Sequence, residues 1–220
     1  MQVRYNEPRS PKSSKCVRII QIVKKCRRCR ALACSLKDKA REGRAMKSMT
    51  YGEARQIARD LAKDTLENYW SGSYPVDPVA IARSAGIEVY SSQLGVDTWG
   101  MLVGGDNSVT MYLDKDQPLN RMRFSAAHEL GHYMTHTASD ERLADYVKVI
   151  PAGKGYVDKR SDAGRGNLFE VIANEYAGAL LMPEQELRRM AKADDSNISI
   201  ARAFRVSVDA VAYRRKILAL

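Results

Sequence analysis

The sequence predicts an α+β fold: a small, mostly antiparallel sheet packed on helices, with a helical C-terminal end. Two observations carry this. Stretches with apolar residues at helical spacing flank one cluster of β-prone runs. Within that cluster, two runs are joined by four turn-forming residues, a hairpin pattern. Hydrophobic residues make up 45% of the chain and charged residues 28%, enough apolar material for a buried core. No internal repeat is evident, and the longest apolar runs are far too short to cross a bilayer.

The first helix is expected from near Thr50. Ala54, Ile57, Ala58, Leu61, Ala62, Thr65, Leu66 and Tyr69 give it one apolar face, and Ser71-Gly72-Ser73 ends it. Asp77-Pro78 places an N-cap before a proline at the first position of a second, short helix, which Gly86 stops. Ile87 to Tyr90 is a strand candidate. The hairpin follows: Trp99 to Val103 and Ser108 to Leu113, joined by Gly104-Gly105-Asp106-Asn107. A helix is expected from about Asn120 to His136. A partial helix over 139–149 and an exposed loop from Gly153 to Gly166 come next. A strong helix spans about Asn167 to Met182, and two or three short helices occupy 184–220.

The net charge of +10 resembles a nucleic-acid signal until it is located. Residues 1–47 hold 15 Lys/Arg and 3 Asp/Glu, whereas residues 48–220 hold 21 and 23. The basic character therefore belongs to an N-terminal tail, and the remaining domain is nearly neutral. The tail is rich in Lys, Arg, Ser and Pro and reads as disordered. An alternative is that translation starts at Met46 or Met49. Arg18 and the basic residues from Lys24 to Arg30 break any secretory signal pattern, so export is not expected. All four cysteines, Cys16, Cys26, Cys29 and Cys34, lie in the tail, at spacings that fit no strong zinc-finger pattern. The domain itself has none, as a reducing cytoplasmic location would allow.

The chemistry is carried by His128-Glu129-Leu130-Gly131-His132. Four residues apart on a helix, the two imidazoles share one face and can hold one metal ion. Three protein ligands and a water are the usual catalytic zinc arrangement, and a neighbouring carboxylate, Glu129, suits the role of general base. The bland alternative is a surface helix with two solvated histidines. Against it, the chain's only histidines are 128, 132 and 136, all on this helix. His136 lies about 12 Å along the axis from His128, too far to share the ion on a straight helix. It is assigned to the helix end or to supporting the ligands.

The third ligand must come from elsewhere. On the strong helix, Glu170, Ala173, Asn174, Ala177 and Leu181 share a face whose small residues permit close approach to the histidine helix. Glu170 leads that face and Asn174 follows one turn behind, a supporting position. Glu175 projects about 140° away and is the reserve.

These two motifs, Arg121 to His132 with the trailing His136, and Ala173 to Pro183, resemble the ImmA/IrrE-type metallopeptidases. The resemblance covers about residues 50–220. It implies a compact gluzincin-like core, a zinc cofactor, His128, His132 and Glu170 as ligands, and Glu129 as base. It also implies a protein substrate, a DNA-binding repressor that the enzyme cleaves or inactivates. Ile172 stands where the family often has an acidic residue, and the motifs are separated by a long spacer, Tyr133 to Phe169.

Two further expectations concern partners. If the 99–113 hairpin lies at a sheet edge, an extended peptide can add to it as another strand, and Met101→Pro should impair cleavage. If both strands are interior, it should not. Ile198 to Leu218 has a helix-turn-helix flavour followed by Arg214, Arg215 and Lys216, with Arg205 where a turn glycine is usual. Packing against the catalytic core competes there with direct DNA binding. Oligomeric state is not legible.

Overall fold

The computed structural model describes residues 49–95, 98–104, 108–138, 140, 142–143, 155–156 and 168–220. The chain divides between Ser48 and Met49 into two units. The expectations for the tail and its cysteines, for the turn residues 105–107 and for most of 139–166 lie outside the described residues.

Local signals set the first elements. Helix α1 spans Tyr51–Tyr69. Thr50 caps it: its hydroxyl accepts from the Glu53 amide at 3.2 Å, and the Glu53 carboxylate accepts from the Thr50 amide at 2.8 Å. Two otherwise orphaned amides are thereby satisfied. The face holding Ala54, Ile57, Ala58, Ala62 and Thr65 is buried. Helix α2, Pro78–Ser84, begins where the Asp77 carboxylate accepts from the amides of Val79 and Ala80. Gly86, at φ 87°, then turns the chain into the sheet.

The sheet has the order β1-β3-β2-β4, with β1 Ile87–Ser92, β2 Gly100–Gly104, β3 Val109–Asp114 and β4 Gly155–Tyr156. The expected hairpin is β2 and β3, paired antiparallel from Gly100↔Leu113 to Gly104↔Val109. Strand β1 runs two residues beyond its expected end and pairs parallel to β3. That pairing makes β3 interior. On the other side, β4 pairs with β2 only at Leu102 and Val103, so Gly100 and Met101 have no strand partner on that edge among the described residues. Leu102, Met111 and Leu113 are buried on the face toward the next helix.

That helix, α3, spans Leu119–Thr137, and α4 spans Leu168–Leu181. Helices α5 Glu184–Lys192, α6 Asn197–Phe204 and α7 Val208–Ile217 complete the C-terminal end. Helix α4 packs against both α1 and α3. The α3–α4 contact is close because Gly131 has no side chain. A Cβ there would stand 2.9 Å from Cδ1 of Tyr176 and 3.2 Å from Cα of Ala173. The Tyr176 hydroxyl donates to Oγ1 of Thr65 at 3.0 Å, tying α4 to α1. Arg123 ties α3 to its neighbours by donating to the carbonyls of Val76 and Phe204. Among the described residues, no helix is long and apolar enough to cross a membrane.

Candidate metal centre

The close crossing of α3 and α4 decides what the site contains. His128 and His132 lie on the buried side of α3, 8% and 1% exposed. Their Nε2 atoms are 3.0 Å apart. The Glu170 carboxylate, in the first turn of α4, reaches both: Oε2 is 3.4 Å from Nε2 of His128 and Oε1 is 3.3 Å from Nε2 of His132. Three lone-pair donors thus converge on one point. Donors about 2.0–2.1 Å from a shared ion at tetrahedral angles would stand ~3.3 Å apart, so the spacing fits a zinc-sized cation.

The surroundings orient these groups. Oδ1 of Asn174 accepts from Nδ1 of His128 at 3.1 Å. That bond requires a proton on Nδ1 and aims Nε2 at Glu170. Burial acts to raise the Glu170 carboxyl, but hydrogen bonds and charge from His128 and His132 outweigh it. The carboxyl is held well below the ordinary carboxylate range. It is therefore an anion, as a metal ligand must be.

Glu129 is 2% exposed and lies beneath the first residue of β2. A Cβ at Gly100 would stand 2.8 Å from Oε1 and 2.9 Å from Cγ of Glu129. Gln117 sets that approach. Its amide donates to the carbonyls of Trp99 and Asp114, both at 2.9 Å, and its Oε1 accepts from the hydroxyl of Ser125 on α3 at 3.0 Å. Arg121 stacks on Trp99 at 3.9 Å. Gly100 and Gln117 escape a reading by spacing because their partners are distant in sequence.

Two further residues singled out in the sequence, His136 at the helix end and the reserve Glu175, lie apart from the three ligand atoms. His136 stacks on Phe169, with centroids 5.9 Å apart and planes 10° apart, near the start of α4 rather than among the three ligand atoms. Glu175, the reserve ligand, faces the opposite way. Its Oε1 accepts from Arg214 at 2.8 Å and from Arg59 at 3.2 Å. The small residues of the Glu170 face chose which side of α4 meets the histidines, and Glu175 took the other.

That ion pair also bears on the helix-turn-helix flavour. The two helices exist, α6 and α7, and Arg205 adopts φ 53°, the left-handed conformation usual for glycine there. But Arg214 is only 3% exposed and is committed to Glu175, and Arg215 donates to Asn197. Of the basic cluster, Arg214 thus ties α7 to α4, and Arg215 ties it to α6. A signal was available: Arg214 sits three residues after buried Val211 and four before Leu218, a core position in the helical period.

Residues 82–216 match the family model of the IrrE N-terminal-like domain of the M78 peptidases. No curated protein matches the chain. Among solved structures, a Mycobacterium tuberculosis transcriptional regulator is similar at 19% identity with a TM-score of 0.47. The alignment covers 76% of this chain and 52% of that one, so the chain spans about half the length of that regulator.

Proposed function

The chain belongs to the IrrE N-terminal-like domain family, and from that premise we propose that it is a zinc-dependent endopeptidase whose substrate is a DNA-binding repressor. The observation that carries the reading is the convergence of His128, His132 and Glu170 from two helices. A zinc ion held by these three would polarise the scissile carbonyl and acidify an attacking water. Glu129 is the general base. It takes the proton of the attacking water and passes it to the departing amine. Asn174 keeps the His128 ring in the ligating orientation. An extended peptide added as a strand beside β2 at Gly100 and Met101 would lie against Glu129. A cytoplasmic location belongs to the same proposal, since residues 49–220 contain no cysteine.

The test is metal analysis of the wild type and Glu129→Gln, with cleavage assayed on the product of the neighbouring repressor gene. Both proteins should carry one zinc per chain, and Glu129→Gln should cleave ~10²–10⁴-fold more slowly. Wild-type-like cleavage by the variant would overturn the mechanism. A wild type that takes up no zinc would overturn the site.

A further inference from the structure

Gln117 lies in the connection between β3 and α3, outside both elements. Its side-chain amide meets three parts of the frame around the site. Nε2 donates to the carbonyls of Trp99 and Asp114, both at 2.9 Å, and Oε1 accepts from the Ser125 hydroxyl at 3.0 Å. Both N–H groups and the oxygen of the amide are thereby engaged, which fixes the side chain. Trp99 immediately precedes the first residue of β2, and Asp114 is the last residue of β3. The Trp99 carbonyl also accepts from the Asp114 amide at 3.0 Å, so Gln117 closes the open end of the hairpin. Ser125 is buried and stands one helical turn before Glu129 on α3. The Gln117 amide is thus a clip between the hairpin and the helix that carries the base.

What the clip holds is the height of β2 above Glu129. Gly100 follows Trp99 directly, and a Cβ there would press on Oε1, Cγ and Cδ of Glu129. The strand therefore sits lower over the carboxylate than any residue with a side chain allows. Arg121, in the first turn of α3, holds the same tryptophan from its other end, its guanidinium 3.9 Å from the ring centroid. We propose that Gln117 is a positioning residue for the base. By fastening the Trp99 carbonyl to Ser125, it keeps Gly100 against Glu129 and confines the carboxylate to its working orientation. The role rests on the endopeptidase reading, and Gln117 acts through the strand. Shape alone does not supply it. An ionised glutamate at 117 keeps the acceptor for Ser125, but it turns oxygen lone pairs toward two carbonyls that need donors.

The experiment uses the full chain and two readouts. The first is a thermal double-mutant cycle, which needs no cleavage. Gly100→Ala is melted alone and together with Gln117→Met. With the clip intact the added methyl is trapped against Glu129, and the melting temperature should fall about 2–4 °C. With the clip cut, β2 can lift, and the further fall on adding Gly100→Ala should be under about 1 °C. Ser125→Ala cuts the clip at its other end and repeats the cycle should Gln117→Met not fold. Equal falls in the clipped and unclipped backgrounds would overturn the proposal, whatever the protein cleaves. The second readout is kinetic. Gln117→Glu and Ser125→Ala should each keep their zinc and cleave the repressor about tenfold more slowly through kcat, with KM within about twofold of the wild type. An unchanged kcat in either folded variant, or a loss confined to KM, would overturn the proposal. Wild-type-like cleavage by Glu129→Gln would instead overturn the endopeptidase mechanism, and the thermal cycle would still decide whether Gln117 holds β2 down.

Discussion

Helix α4 carries two carboxylates, Glu170 and Glu175, on opposite faces, and their neighbours give them opposite duties. Glu170 meets two imidazole nitrogens at 3.3–3.4 Å, a spacing that suits a shared cation. Glu175 meets two guanidiniums at 2.8 and 3.2 Å, contacts that are complete without an ion. The imidazoles titrate, and once neutral they offer lone pairs beside the Glu170 carboxylate, a set that can hold a cation. The guanidiniums bring fixed positive charge and no lone pairs, so the Glu175 face offers a cation nothing to bind. The difference teaches that a buried carboxylate is read by its partners' chemistry, not by its own burial. Glu175 is in fact the more buried of the two.

Exchanging the carboxylates for amides one at a time separates the duties. Glu170→Gln removes the anionic ligand while leaving a side chain of the same shape. The expected result is loss of bound zinc and of all cleavage, with an unchanged circular dichroism spectrum. Retention of stoichiometric zinc by the purified variant would break the comparison. Glu175→Gln should do the reverse. It removes the carboxylate bonded to buried Arg214 and leaves only the more distant charge of Glu184, at a cost of about 3 kcal/mol in unfolding free energy, the lower end for a broken buried pair. Zinc content of the folded fraction should be unchanged. Urea denaturation together with metal analysis measures both.

What was legible in the sequence follows the same division. His128 and His132 are one helical turn apart, so a local rule places them together. Thr50 with Glu53, and Asp77 before Pro78, mark helix starts through contacts within three residues. Glu170 could be singled out because small residues on its own face permit a close crossing, and Gly131 with Ala173 is where that crossing occurs. Spacing alone left the choice between Glu170 and Glu175 open, since both are acidic residues on one helix. Tertiary packing resolves it, through Arg59 and Arg214, which come from the first and last helices. The parallel pairing of β1 with β3 and the cover of β4 over part of β2 are likewise long-range. Periodicity can propose a strand but carries no information on its neighbour.

Asn174 sits between the two faces and sharpens the comparison at a finer scale. Asn174→Ala removes the acceptor for Nδ1 of His128 and frees the ring to change tautomer. Zinc affinity should fall ~10–100-fold, as when a ligand's supporting hydrogen bond is lost elsewhere. Competition with a fluorescent chelator reads this directly, and an unchanged affinity would leave His128 held by packing alone.

The smallest expected effect tests whether the metal face extends to the sheet. Gly100 brings β2 against Glu129, and a methyl group there would stand 2.8 Å from Oε1. Cγ, 2.9 Å from that methyl, would have to move as well, so the whole buried Glu129 side chain shifts and some stability is lost. Its carboxylate is also the group that would accept a proton. Displacing a reacting group by a few tenths of an ångström costs about tenfold in rate, against ~10²-fold for a full ångström. Gly100→Ala should therefore bind zinc normally, melt about 2–4 °C below the wild type for a strain of about 1 kcal/mol, and cleave about tenfold more slowly through kcat. A fall confined to KM would mean that the alanine obstructs the peptide and not the base. No change in either constant would show that Glu129 works from a position β2 does not constrain, and the metal face would then end at α3.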